Sequence, residues 1–325
     1  MNQAMQKLRL WGFCLLCLSA VPAWAEGFLA DPRAEQLMVD LQAAGLDRAQ
    51  VRAWLAQGEF LESTRTSMAA PRERTLTWAE YQPLFVNDQS IERGRAFMAE
   101  HADALARVES ELGVDPRVVT AIIGVETRYG RFVGTHSVMN ALGTTAFSDS
   151  PRSDYFLREL NAFFRLASAE GIDPLTLQGS FAGASGIPQF MPSSFLAYAI
   201  DFSGDGQRNI WHNMEDAIGS VGNYLAAHRW QTGAPVAIPA RLQHQAAADL
   251  VDHSQRRPHT PFAEVAAAGW QPAQPVPATE LVSTFRLEGA AGEEFWLGLQ
   301  NFYVITRYNH SILYAMAVYH LSQAL

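Results

Sequence analysis

The run 115–130, DPRVVTAIIGVETRYG, constrains this chain more than any other segment. Asp115 suits an N-cap, Pro116 suits the first helical position and Gly130 offers a stop, so the spacing predicts a helix. The segment is apolar apart from the glutamate that closes it, Glu126. A carboxylate in such a setting loses water, which penalises its charged form and keeps a proton available near neutral pH. The negative end of the helix works in the same direction. The ordinary alternative is an ion pair from Glu126 to Arg128 or Arg131 at a solvated helix end.

Residues 1–25 are set aside before the fold is read. Lys7 and Arg9 precede an apolar stretch, and Ala23-Trp24-Ala25 fits a small-residue cleavage site, so this segment reads as a secretory signal peptide. Cys14 and Cys17 both lie inside it, and neither follows the small residue expected at a lipid-acceptor cysteine. The mature chain therefore holds no cysteine, and its stability rests on core packing or a metal. Losing Lys7 and Arg9 takes the net charge from −9 to −11. So acidic a protein is a poor nonspecific nucleic-acid binder. Hydrophobic residues make up 48% and charged ones 18%, enough to bury a real core in 325 residues.

Coarse periodicity divides the remainder. Residues 26–110 read as an N-terminal helical region, with Leu37, Met38 and Leu41, then Val51, Trp54 and Leu55, at helical spacing. Residues 111–231 read as a central core containing a helix from 154 to 170. The stretch 232–284 is rich in Pro, Ala and Gln, with β-compatible runs at 236–238 and 281–287, and reads as a small β-containing module. Helix is expected to return at 293, so that 285–325 completes the core. The fold class expected is mainly α (α+β).

Three further segments carry chemistry. In 180–194, SFAGASGIPQFMPSS, small residues let the backbone approach another surface, and Ser180 and Gln189 offer neutral hydrogen-bonding groups suited to a sugar polymer. A tight helix-connecting loop is the plainer reading. In 201–209, DFSGDGQRN, oxygen-bearing side chains at alternate positions and a glycine at the sixth form the front half of an EF-hand calcium loop. Position twelve is His212 rather than Glu, so a longer loop would have to end on Glu215 or Asp216; an ion-free Asp/Gly turn is the alternative. In 301–314, NFYVITRYNHSILY, aromatic and amide groups could stack on sugars or form a buried seam. No nucleophile elbow, phosphate loop, dinucleotide fingerprint or zinc-binding His pair is present.

Together the motifs GVETRYG, GASGIPQFMPSS, DFSGDG and NFYVITRYNHS, in this order, resemble the lytic murein transglycosylase B family over the whole mature chain. The resemblance implies a lysozyme-like helical core. It also implies cleavage of the β-1,4 bond between N-acetylmuramic acid and N-acetylglucosamine in peptidoglycan, leaving a 1,6-anhydro end. A lysozyme-type muramidase hydrolysing the same bond is the alternative. Glu126 matches the family's catalytic acid/base. Ser180, Gln189, Tyr224, Tyr308, Asn309 and Tyr314 would line the substrate groove. Asp201, Ser203, Asp205, Gln207 through its carbonyl, and Asp216 rather than Glu215 would hold structural calcium (Ca2+), with no organic cofactor. Members of this family are often lipoproteins; without a lipid-acceptor cysteine, the expectation here is a soluble periplasmic monomer acting on peptidoglycan glycan strands.

Overall fold

The computed structural model describes residues 27–69 and 75–325; the segment 1–25 read as a signal peptide lies outside them. In chain order the helices that build the site and its support are α1 (Arg33–Ala43), α2 (Arg48–Ala56), α3 (Asp88–Glu100), α4 (Pro116–Thr127), α5 (Val138–Ala146), α6 (Ser153–Glu170), α7 (Pro192–Tyr198), α8 (Met214–Ala227), α9 (Gln300–Tyr308) and α10 (Ile312–Ala324). The Asp115 cap expected from sequence forms, and the structure adds a like one before α2. Asp115 accepts from the Arg117 N–H at 2.8 Å, and Asp47 does the same for α2 through Ala49.

Helix α4 is the axis of the molecule. Every residue from Val118 to Val125 is buried, and α3, α8 and α10 pack around it. Each fully buried Val or Ile here contributes about 1.5–3 kcal/mol relative to exposure. Its end is not made by Gly130 alone. Arg128, Tyr129 and Gly130 take φ of 50°, 64° and 80°, three left-handed residues in a row. The strain at Arg128 and Tyr129 is held by tertiary contacts: the Tyr129 hydroxyl donates to the Ser90 carbonyl at 2.7 Å, and its ring covers Gly124. A Cβ on Gly124 would stand 2.7 Å from that ring, so the glycine is required for close approach.

Helices α1 and α2 belong to a second hydrophobic cluster. Phe28, Leu37, Leu41 and Leu55 pack with Leu142 of α5 and with Phe156 and Phe163 of α6. Residues farther along the N-terminal region, Trp78, Tyr81 and Phe97, join the cluster around α4 instead.

The β-compatible runs do become strands. A two-stranded antiparallel pair joins β1 (His136–Ser137) to β2 (Gln178–Gly179). The larger sheet contains β3 (Ala237–Leu242), β4 (Thr260–Pro261), β5 (Trp270–Pro272), β6 (Leu281–Gly289) and β7 (Gly292–Gly298), in the order β4-β6-β7-β3-β5. Where the sequence reading puts helix from 293, strand β7 forms and helix begins only at Gln300. The reason is partnership: β7 is paired on both edges, with Phe285 opposite Trp296 on one side and Pro239 opposite Trp296 on the other. Adjacent residues of this sheet face different clusters. Leu297 packs inside the module with Ile238 and Val282, whereas Trp296 and Phe285 pack on the helical core. Phe285 stacks on Phe302 of α9 at 4.7 Å, which fixes the sheet against the helices that carry the site.

Candidate active site

Glu126 sits in the last turn of α4, partly buried, and accepts a hydrogen bond on Oε1 from the Tyr314 hydroxyl at 2.6 Å. Tyr314 lies in the first turn of α10, where Ser311 caps the helix by accepting from the Tyr314 N–H. The Tyr314 ring runs parallel to that of Tyr308, 6.4 Å away and 9° from coplanar. Tyr308, at the end of α9, donates to the Pro188 carbonyl at 2.6 Å. Its ring meets Tyr224 edge-on at 4.8 Å, and the Tyr224 hydroxyl donates to the Arg307 carbonyl at 2.5 Å. One aromatic wall thus joins α8, α9 and α10 to the loop after β2.

Burial, and then the charge of Glu126, hold Tyr308 and Tyr314 well above the usual phenol range. Burial also raises Tyr224. All three stay protonated at neutral pH, so the wall beside Glu126 presents neutral hydroxyls.

The loop 180–191 is held from within and from α4. Ser180 Oγ accepts from the N–H groups of Ala184 at 3.1 Å and Ala182 at 3.3 Å. Gln189 adopts a left-handed φ of 50°, and its amide nitrogen donates to the carbonyls of Gly186 at 2.8 Å and Val133 at 3.0 Å. The Gln189 side-chain oxygen is therefore the group it can offer a ligand. A residue that sequence reasoning missed ties this loop to α4. Thr127, fully buried, donates to the Ile187 carbonyl at 2.9 Å and accepts from the Gly130 N–H at 3.0 Å. Gly134 is pressed against the same region, since a Cβ there would stand 2.1 Å from the Gly179 carbonyl oxygen.

Of the sequence-predicted groove residues, Tyr314 touches Glu126 directly, and Tyr308 and Tyr224 follow through ring contacts. Gln189 adjoins Pro188, the acceptor of Tyr308, and Ser180 anchors the start of that loop. Asn309 follows Tyr308 and lines, with it, a cavity of about 630 Å3. The arrangement offers the partly buried Glu126 carboxylate as a proton donor or acceptor, beside the hydroxyl of Tyr314 and the ring of Tyr308.

An acidic loop immediately precedes α8. Carboxylate oxygens of Asp201, Asp205 and Asp216 fall within 4.8 Å of one another, and Glu215 is not part of the group. Asp216, buried in the first turn of α8, accepts from the N–H groups of Phe202 and Ser203 at 2.9 Å and of Asn209 at 2.8 Å. It thereby pins both ends of the loop. Asp201 accepts from the N–H groups of Gly204 and Gly206, each at 2.7 Å, and Ser203 Oγ lies 3.3 Å from it. Burial pushes the Asp201 carboxyl up, but the amides of Gly206, Gly204 and Asp205 outweigh it and hold the group below its ordinary value. The Gln207 N–H bonds Asp205 at 2.9 Å. Three hard carboxylate oxygens this close, with the Ser203 hydroxyl beside them, form a donor set that suits calcium.

The chain matches the transglycosylase SLT domain family over residues 30–323. It is 40% identical to the membrane-bound lytic murein transglycosylase B of Escherichia coli, over 96% of this chain and 88% of that protein. The soluble lytic transglycosylase SltB1 of Pseudomonas aeruginosa superposes with a TM-score of 0.84 at 42% identity, over 90% of this chain and 98% of that one. The E. coli lytic transglycosylase Slt35 in complex with calcium superposes with a TM-score of 0.81 at 40% identity, over 94% of this chain and 96% of that one. Among the described residues no helix is long and apolar enough to cross a membrane.

Proposed function

The chain belongs to the transglycosylase SLT family and is a peptidoglycan lytic transglycosylase, and we propose that Glu126 is its single acid/base group. The observation that carries this reading is the Tyr314–Glu126 hydrogen bond at a partly buried helix end, inside a wall of protonated phenols.

In this reading protonated Glu126 donates its proton to the oxygen linking N-acetylmuramic acid to N-acetylglucosamine, and the bond to the muramic C1 breaks. The positive charge building at C1 is met by the oxygen of the neighbouring 2-acetamido group, so no second enzyme carboxylate is required, unlike ordinary glycosidases. Ionised Glu126 then takes the proton of the sugar's own C6 hydroxyl, whose oxygen closes onto C1 and releases the acetamido group. The product is a 1,6-anhydro end, and water never enters. Tyr314 steadies Glu126 while it is charged. Tyr308, Asn309, Tyr224, Gln189 and Ser180 hold the sugar.

Calcium, in the same reading, is structural. Asp201, Ser203, Asp205, the Gln207 carbonyl and Asp216 hold it, and the calcium complex of the 40% identical relative supports the assignment. Action on the cell wall requires export to the periplasm, for which the segment 1–25 serves as the signal.

The test is digestion of purified sacculi by wild-type protein and by Glu126→Gln. Soluble fragments are expected from the first and none above background from the second. Equal release by both would remove Glu126 from the chemistry.

A further inference from the structure

Two cavities of about 630 Å3 each lie where the β module meets α9, and three arginines line each. The first is lined by Arg152, His253, Arg256 and Arg286, together with Tyr308 and Asn309 of the groove. The second is lined by Arg229, Arg257 and Arg307, with Trp230 and Tyr303. No Asp or Glu lines either cavity, although the protein as a whole carries a net charge of −9. Arginine identity alone says little, because Lys7 is the only lysine of the chain. The clustering is what requires explanation.

Among the described residues Arg286 is ion-paired with Glu293, but Arg152, Arg229, Arg256, Arg257 and Arg307 are in no ion pair. Arg256 Nε is buried without a hydrogen-bond partner. A buried guanidinium N–H left unmatched is costly, so Arg256 is held in place by something other than its own hydrogen bonds. Three of these charges converge on one imidazole: burial first, then Arg307, Arg256 and Arg152, push His310 below its ordinary value. They come from three separate parts of the chain. Consecutive residues of the β module, Arg256 and Arg257, serve the two cavities in turn.

We propose that Arg256 and Arg257, with Arg152 and Arg307, form a carboxylate-binding rim that grips the acidic peptides carried by the glycan strand. This assignment rests on the peptidoglycan reading. The occupant must be tethered to a sugar in the groove, because the first cavity shares Tyr308 and Asn309 with it. The substituent of peptidoglycan that fits is the short peptide on muramic acid, whose free carboxylates match the planar fork of arginine. The β module is then a reader of peptide substitution attached to the catalytic core.

The experiment compares wild type, an Arg256→Ala/Arg257→Ala double variant and the corresponding double lysine variant. Each acts on peptide-bearing strands and on strands stripped of peptide by an amidase. The alanine variant should raise KM about tenfold or more on peptide-bearing strands, with kcat little changed. On stripped strands it should match wild type, and the lysine variant should fall between. Equal loss on both substrates, or no loss on either, overturns the proposal. A wild type inactive on both substrates overturns instead the reading beneath it. Equal melting temperatures establish that all three proteins are folded.

Discussion

Between Glu126 and Tyr314 a hydrogen bond of 2.6 Å joins residues 188 apart in sequence. If that bond steadies the ionised carboxylate after it has given up its proton, Tyr314→Phe should lower kcat by about 10- to 100-fold and leave KM nearly unchanged. A rise in KM at constant kcat would make Tyr314 a substrate-binding group only. Thr127 makes a separate prediction. Valine there keeps the shape but leaves the Ile187 carbonyl unmatched, so Thr127→Val should cost about 1–3 kcal/mol in denaturant unfolding. A variant as stable as wild type would mean that the latch between α4 and the loop carries no energy. At this scale the sequence made Glu126 and its cap Asp115 legible, because an apolar run and an N-cap are local signals. The role of Thr127 was not legible. Its partner lies 60 residues away, and a threonine inside an apolar helix carries no mark of what its hydroxyl will meet.

Helix α8 and the acidic loop before it act as a unit, with Asp216 binding the loop's backbone at both ends. Calcium that binds the folded loop alone stabilises it by mass action, about 2.7 kcal/mol at a hundredfold excess over the dissociation constant. Wild type should therefore melt at higher temperature with calcium than with chelator. Asp205→Asn, at an exposed carboxylate of the cluster, should melt near the chelated wild type and respond weakly to calcium. Identical melting curves for wild type with and without calcium would refute a structural ion. The front half of this loop is readable because ligand spacing is periodic. The back half is not, since Asp216 follows from where α8 begins rather than from the loop's own pattern. Strand β7 teaches the same lesson: Phe295, Trp296 and Leu297 suit helix or strand, and only pairing on both edges decides. The stop of α4 likewise depends on Tyr129 reaching Ser90, a contact no local rule contains.

Across the whole molecule, His228, His310 and His320 are each held below the ordinary imidazole value, in every case chiefly by burial. Their charged forms are disfavoured in the folded protein, so the unfolded chain binds these protons more readily. Stability from this source is complete above the ordinary value of 6.5 and is lost as pH falls below it. Denaturant midpoints should fall between about pH 7.5 and about pH 5.5. His320, packed between Trp78 and Trp296, should contribute to that slope, and His320→Phe should flatten it. An unchanged slope would exonerate His320. The architecture itself was partly legible: mainly helical, with a β-containing insertion before the last helices. What sequence did not reveal is that α1 and α2 share their core with α5 and α6, because amphipathic stripes say which face is buried but not against what. The central claim concerns the whole catalytic cycle, in which one carboxylate serves as acid and then base. Digesting sacculi in water enriched in the heavy oxygen isotope, and weighing the released muropeptides, tests it most directly. The account predicts fragments lighter by one water than hydrolysis products, with no heavy oxygen at the new end. Fragments carrying that isotope at C1 of the muramic sugar would contradict it.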